Sequence, residues 1–289
     1  MRGMRLLAGG SYKEIRGNKI AYCTLRKDMK FRLSLIILLS LMVVTSCKKN
    51  INFTKTASYS GALTDFWTPL QIGKYVTYRM DSLNFYYYGQ LDTITSYLAK
   101  DSISDTLTDA AGNLDYLVVR YLSDTLGDSW TPNETYMVTA STQNIQLTEQ
   151  NLRFIKLAWP IDNGSTWSGN SYLPYNPYGD YFQFSDDDHL SLGNWVYTYQ
   201  NVDQAYTTPA GMGFDSTISV LQANDSVNVP IVNTNAFASR TYWLETYAKH
   251  IGLVYRSTQM WEYQPPTPDG TQAGYKIGFE LNMYIVDHN

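Results

Sequence analysis

Near its C-terminus the sequence runs GYKIGFELNMYIVDHN, in which Tyr275, Ile277, Phe279, Leu281, Met283 and Ile285 alternate with Lys276, Gly278, Glu280, Asn282, Tyr284 and Val286. A period of two places six apolar side chains on one face of one long strand, whereas helical spacing would scatter them around a cylinder. Weaker forms of the same pattern recur upstream. Val76, Tyr78 and Met80 alternate with Tyr75, Thr77 and Arg79, while Leu114, Tyr116 and Val118 face away from Leu117, Val119 and Tyr121. The stretches NWVYTYQN, STISVL and LVYRSTQMWEYQ are rich in β-branched and aromatic residues. Turn chemistry is expected at Ala111-Gly112-Asn113, Asp162-Asn163-Gly164, Ala223-Asn224-Asp225 and Pro268-Asp269-Gly270. Together these predict an all-β, antiparallel domain with little helix, built as a strongly curved sheet that forms an open barrel or a sandwich.

Composition removes several other classes. With 44% hydrophobic and 17% charged residues the chain can bury a sizeable core, so disorder as its overall state is excluded. The net charge of -4 excludes a nucleic-acid binder built on bulk positive charge. One continuously apolar stretch rules out a multi-pass membrane protein, and two cysteines cannot make a disulfide scaffold.

That charge is unevenly divided. Residues 1–46 carry nine Lys or Arg against two acids, and the remaining residues carry a balance of −11. The basic part ends in MKFRLSLIILLSLMVVTSC, with Met29 followed by Lys30 and Arg32, an apolar run from Leu33 to Val44, and then Thr45, Ser46 and Cys47. A bilayer-spanning helix needs roughly 20 apolar residues. This run is shorter and has the flanks of a signal-peptide core. Val44-Thr45-Ser46-Cys47 resembles the lipobox of bacterial lipoprotein precursors, in which the cysteine is acylated and becomes the first residue of the mature chain. Several acyl chains on one residue hold a protein to a bilayer far more firmly than one.

The expected organisation is an upstream extension at 1–28 preceding a true start at Met29, a lipoprotein signal peptide at 29–46, a flexible tether at 47–64 after lipidated Cys47, and a single β domain at 65–289. Lys48 at the second mature position is not the Asp of inner-membrane retention signals, so the expected location is the outer membrane. Lys48, Lys49 and Asn50 lack acidic surface-export residues, which favours a periplasm-facing anchor over a surface-exposed one. The only cofactor-like group expected is the covalent lipid on Cys47.

Two segments echo each other. Trp67-Thr-Pro-Leu-Gln-Ile-Gly73-Lys-Tyr75 and Trp159-Pro-Ile-Asp-Asn-Gly164-Ser-Thr-Trp167 each set an aromatic, Pro, an aliphatic and Gly ahead of another aromatic, a pattern for a Pro/Gly turn that launches a strand. The segments FWTPLQIGKYVTYRM, AWPIDNGSTWSGN and YAKHIGLVYRS resemble a broad group of uncharacterised bacterial envelope lipoproteins. Pro69, Leu70, Gly73, Val76 and Tyr78 fall on that group's opening strand, and Tyr247, Ala248, Ile251, Gly252, Leu253 and Val254 on its later turn. Tyr75-Val76 stands where the group has a Trp. The resemblance implies an antiparallel β domain and carries no catalytic residues with it.

Catalytic motifs are missing from the sequence. There is no Gly-x-Ser-x-Gly elbow, phosphate loop, dinucleotide fingerprint or HExxH. A non-enzymatic protein is therefore expected. Asp186, Asp188 and His189 concentrate potential metal ligands, but adjacent carboxylates diverge and the segment reads as a solvated acidic turn. Asp101, Asp105 and Asp109 read as a polar strand edge.

The unusual feature is aromatic content, with 25 Tyr, 7 Trp and 10 Phe. Tyr86 and Tyr88, in one cluster, and Tyr172, Tyr175, Tyr178 and Tyr181, in a Pro/Gly-rich one, are the candidate ligand contacts. Consecutive aromatics on a strand project to both faces, so some must leave the core. Two functions follow as expectations: an envelope lipoprotein that binds an apolar or aromatic-compatible small ligand or an envelope protein, or a carbohydrate-binding or carbohydrate-active protein that engages glycans through Tyr and Trp. The membrane is an expected partner through the lipid anchor; nucleic acid is not.

Overall fold

The computed structural model describes residues 57–87, 89–109 and 112–289. The extension, the signal peptide, Cys47 and Tyr88 lie outside the described residues. Fourteen strands follow in chain order: β1 (Ser58–Tyr59), β2 (Tyr75–Tyr86), β3 (Leu91–Thr108), β4 (Leu114–Ser123), β5 (Thr131–Ala140), β6 (Asn144–Glu149), β7 (Leu152–Ala158), β8 (Ile161–Asp162), β9 (Thr166–Trp167), β10 (Tyr197–Thr207), β11 (Gly213–Val227), β12 (Ala238–Ala248), β13 (Gly252–Gln264) and β14 (Tyr275–His288). Twelve of them form one antiparallel sheet in the order β7-β6-β5-β4-β3-β2-β14-β13-β12-β11-β10-β9.

Strand β14 holds the design together by pairing with β13 on one side and β2 on the other. Of the six residues in the alternation, Ile277, Phe279, Leu281, Met283 and Ile285 turn to the interior, while Tyr275, the first residue of the strand, joins neither core cluster. The sheet curls until its edges meet. Ile155 N of β7 donates to Gly169 O just beyond β9 at 2.8 Å, the Trp167 indole donates to Ile155 O at 2.8 Å, and the Tyr199 hydroxyl bridges Ala158 N and O at 2.9 Å. A nearly closed barrel results, which hides edges that would otherwise be free to pair with other chains.

Each end is plugged differently. At the end where β2 begins, a single 3-10 turn, Leu63–Phe66, buries Leu63 and Phe66, and Trp67 stacks on Tyr247 with ring centroids 5.6 Å apart. The opposite end is covered by the long β9–β10 connection, which carries the short helix α1 (Asp187–Leu190).

Two expectations need correction. The tether expected over 47–64 gives way to the domain by Ser58: Ser58 and Tyr59 pair with Asp162 and Ile161, and Tyr59 meets Phe66 edge-on at 4.8 Å. Small polar residues concealed this because β1 is only two residues long and takes its register from β8. Ala223-Asn224-Asp225 is not a turn. It lies inside β11 just past a register shift between Leu221 and Ala223, where pairing with Trp243, Tyr242 and Thr241 overrides local turn propensity. By contrast Gly73 and Gly164, the glycines of the two echoing segments, adopt φ of 89° and 90° and each precedes a strand as expected.

Gly278 sits in the middle of β14 with φ of 109°, opposite Trp261, and a Cβ there would overlap the Met260 carbonyl oxygen. Gly278→Ala should therefore cost more than about 3 kcal/mol in chemical denaturation, combining backbone strain with a backbone clash. Gly270, with φ of 71° and open space around it, carries only the strain, and Gly270→Ala should cost about 1 kcal/mol.

Candidate functional site: a charged barrel interior

On seven strands a charged residue falls in phase with the inward apolar face. Asp101 lies between Ala99 and Ile103 on β3, Arg120 follows Val118 on β4, and Glu134 precedes Tyr136 and Val138 on β5. Glu149 follows Leu147 on β6, Lys156 follows Phe154 on β7, Glu245 precedes Tyr247 on β12, and Arg256 follows Val254 on β13. Strand register then sets them against one another. Asp101 is opposite Arg120 and Arg120 opposite Glu134, which makes a cross-strand row, and Glu245 is opposite Arg256.

In the first group Arg120 is the hub. It grips Asp101 with its fork, Nε to Oδ1 at 2.7 Å and Nη2 to Oδ2 at 2.9 Å, while Nη1 donates to Glu134 at 2.6 Å and Glu149 at 2.9 Å. The Tyr136 hydroxyl adds a hydrogen bond to Asp101 at 3.0 Å. Burial, and Glu149 beside it, push the Glu134 carboxyl above its ordinary range despite Arg120.

In the second group Glu245 is the hub, 1% exposed. It accepts from Lys156 Nζ at 2.8 Å, Arg256 Nε at 2.8 Å, Gln222 Nε2 at 2.6 Å and the Tyr247 hydroxyl at 2.6 Å. Burial disfavours its charge, but Lys156 and Arg256 outweigh that and hold it down to about 2. Burial wins at Lys156, whose ammonium is pulled below its ordinary value in spite of Glu245. Glu245 with its four donors is thus the firmly ionised member, and Lys156 the cation that the interior tolerates least.

Two adjoining cavities lie between these groups and share Arg120, Leu147 and Arg256 as wall residues. The inner one, beside Trp67 and Tyr78, has about 40 Å³, room for a water molecule. The larger, about 260 Å³, runs past Glu134, Glu149 and Lys156 and is walled by Leu147, Phe154, Trp243, Phe279 and Leu281. Above it the β9–β10 connection lays an aromatic cover. Tyr178 meets Phe279 edge-on at 6.1 Å, Phe182 stacks on Phe279 at 5.6 Å, and Trp195 meets Trp243 edge-on at 5.4 Å.

A single carboxylate fastens that cover. Glu262 of β13 accepts from Ser185 N and Oγ at 2.7 and 2.8 Å and from Asp186 N at 2.7 Å, and its Oε1 lies 3.2 Å from His189 Nδ1. Burial opposes its charge, but these hydrogen bonds prevail and keep its carboxyl below the ordinary range. The contribution is therefore present above the ordinary carboxylate range and lost as pH falls below it. Glu262→Ala should cost at least about 2 kcal/mol and speed proteolytic cleavage within residues 171–183 before the barrel itself unfolds.

Of the sequence candidates among the described residues, Tyr178 alone lines the larger cavity. Tyr86, Tyr172, Tyr175 and Tyr181 are exposed on the outside. Asp186 caps α1 by accepting from Asp188 N at 2.9 Å, and burial together with a hydrogen bond to Asp225 pushes the Asp188 carboxyl up. His189 is buried, its ring against Phe184 at 4.6 Å and its Nε2 3.3 Å from Arg240 O, so both ring nitrogens face protein acceptors. The aspartates keep the solvent contact that the composition indicates, Asp187 exposed and Asp186 and Asp188 half-buried, while His189 alone is buried and clasps the segment to Glu262. Asp101, read as a strand edge, lies on an interior strand of the sheet and faces the lumen.

The geometry defines a class: a nearly closed, twelve-stranded antiparallel barrel with a small cavity and an ionic interior. No protein-family model and no curated protein matches the chain. Two solved structures are similar to it, one provisionally described as an exported protein with a YmcC-like fold from Bacteroides fragilis, the other as a lipoprotein from Parabacteroides distasonis. Each shares 12% identity and a TM-score of 0.34, with 78% of this chain and 99% of the other covered. Both likenesses are too distant to bear on the site.

Proposed function

We propose that this chain is a lipid-anchored protein of the bacterial outer membrane, held through Cys47 and facing the periplasm, that binds a small amphipathic ligand inside its barrel without converting it. The observation that carries the reading is the 260 Å³ cavity, where apolar and aromatic walls meet ion-paired side chains under an aromatic cover. Such a mixture of apolar wall and a few directed polar groups is the usual make-up of a ligand pocket. A glycosidase reading of Glu134 and Glu149 fits poorly, because both accept from one Arg120 nitrogen and leave no room for a sugar between them.

Native mass spectrometry of the full chain, purified from its own envelope, should show a non-covalent small molecule that Leu281→Trp, filling the cavity, displaces. A ligand-free protein, or a ligand retained equally by Leu281→Trp, would count against the lumen. Cys47→Ser should move the protein out of the membrane fraction. A mature chain that retains residues 29–46 would refute the anchor.

A second reading rests on the cover's outer side, where Tyr172, Tyr175 and Tyr181 are exposed and the Arg153 guanidinium lies 5.3 Å from the Tyr172 ring. Flat aromatic area with a hydrogen-bonding tip suits sugar rings. Saturable binding on a glycan array that Tyr175→Ala abolishes, with cavity occupancy unchanged, would place recognition there.

A further inference from the structure

The two ionic groups leave opposite imbalances. Around Glu245 one carboxylate faces two cations, Lys156 and Arg256, a local surplus of one positive charge. Around Arg120 one guanidinium faces Asp101, Glu134 and Glu149. Arg256 spends only its Nε on Glu245. Its two terminal nitrogens find no hydrogen-bond acceptor among the described residues, and the side chain lines both cavities. Trp243, across the larger cavity, has a buried indole N–H that likewise finds no acceptor. The Arg256 side chain is 15% exposed and lines the cavity, so an acceptor bound there can reach its terminal nitrogens.

We infer that the ligand is an apolar monocarboxylate, its carboxylate seated on the terminal guanidinium nitrogens of Arg256 and its body lying between Phe154, Trp243, Phe279 and Leu281. The inference rests on the lumen reading above. A guanidinium edge matches a carboxylate in plane and spacing. One negative charge meets the free edge of the Arg256 guanidinium, whereas a second would face Glu134 and Glu149 across the same cavity. A cation in the same place would lie against the guanidinium of Arg256 and leave its terminal nitrogens without an acceptor. The aromatic walls suit a flat or aliphatic body over a sugar, whose hydroxyls they would leave unpaired.

Phenylpropanoate, phenylpropanol and phenylpropylamine share a body and differ in head group, so calorimetric titration of the full chain in lipid nanodiscs, against empty nanodiscs, isolates the charge. The acid should bind saturably and the alcohol at least about tenfold more weakly, with no binding of the amine. Arg256→Lys, which keeps a donor for Glu245 but loses the fork, should weaken the acid about tenfold and leave the alcohol unchanged. If that variant does not fold, the ratio of acid to alcohol in the unaltered protein decides alone. Equal affinities for acid and alcohol would overturn the carboxylate seat while leaving the lumen as the site. Preferred binding of the amine would reverse the sign and also overturn it. Binding of none of the three overturns the inference, and retention of the native ligand then judges the lumen separately.

Discussion

Glu245→Ala should lower the stability of the barrel by about 3–5 kcal/mol, one of the two largest effects expected of a single substitution, because it strands the buried Lys156 and Arg256 with no counter-charge. The side chain is 1% exposed and accepts four hydrogen bonds, so neither water nor a neighbouring carboxylate can replace it. Burial by itself argues against an ionised Glu245, and its four donors decide the balance. If that account is right, removing the three charges together should do less harm than removing the central one alone. Lys156→Met, Glu245→Leu and Arg256→Met combined should recover most of the lost stability, since a buried ion pair replaced by apolar residues of similar volume is often neutral. Urea midpoints with unchanged slopes would measure both. A combined variant less stable than Glu245→Ala would show that the ions hold the barrel's shape. The same carboxyl sets an acid limit. Because Glu245 is held at about 2 when folded, its contribution is complete above the ordinary carboxylate range and declines as pH falls from there towards 2. Melting temperatures of the unaltered protein should drop over that window, and those of the combined variant should drop less.

The parts of this architecture legible in the sequence are those written within one strand. Residues 275–286 state their period over enough positions to fix type and facing, and β14 has both. The ionic interior is written in the same code but more faintly, as a charge in phase with apolar neighbours: Asp101 with Ala99 and Ile103, Arg120 with Val118, Lys156 with Phe154. Such a phase match shows that a charge faces inward only once its strand is known to be central. Ser and Thr around Asp101 hid that, because the partners that make β3 central, β2 and β4, are specified elsewhere. Pairing of Asp101 with Arg120 depends on a register shift between Ile103 and Asp105, which no local pattern announces. The aromatic loop was legible as unusual but not as to direction. Without a strand period its tyrosines have no fixed facing, and Tyr178 turns inward while Tyr175 and Tyr181 turn out. His189 acquires its role from Glu262, a partner more than seventy positions away on β13.

Ile285→Asp should abolish folding, while Leu281→Asp, two inward positions back along β14, should leave a folded protein. Both residues belong to the alternating apolar face, and sequence alone treats them alike. The structure separates them. Ile285 is fully buried among Tyr78, Met283 and Val254, opposite Tyr78 of β2. Loss of its side chain costs about 2–5 kcal/mol in transfer and cavity terms, and a carboxylate with no partner adds several more. That sum matches or exceeds the whole stability of an ordinary domain, about 5–15 kcal/mol. Leu281 borders the 260 Å³ cavity, where an aspartate can keep water and turn towards Arg256, so the expected cost is about 2–3 kcal/mol. Glu280, the residue before Leu281 and on the outer face, is half-buried beside Gln259, and Glu280→Ala should cost under about 0.5 kcal/mol. Circular dichroism and thermal melts of the three variants would test facing and burial together. Equal loss of fold at 281 and 285 would mean that the cavity closes in solution. Survival of Ile285→Asp would mean that the β2–β14 pairing does not hold the barrel shut. The Leu281→Asp protein also bears on recognition: a carboxylate built in beside Arg256 competes for the guanidinium, so this variant should lose any acidic ligand while still melting in one cooperative transition, at a lower temperature.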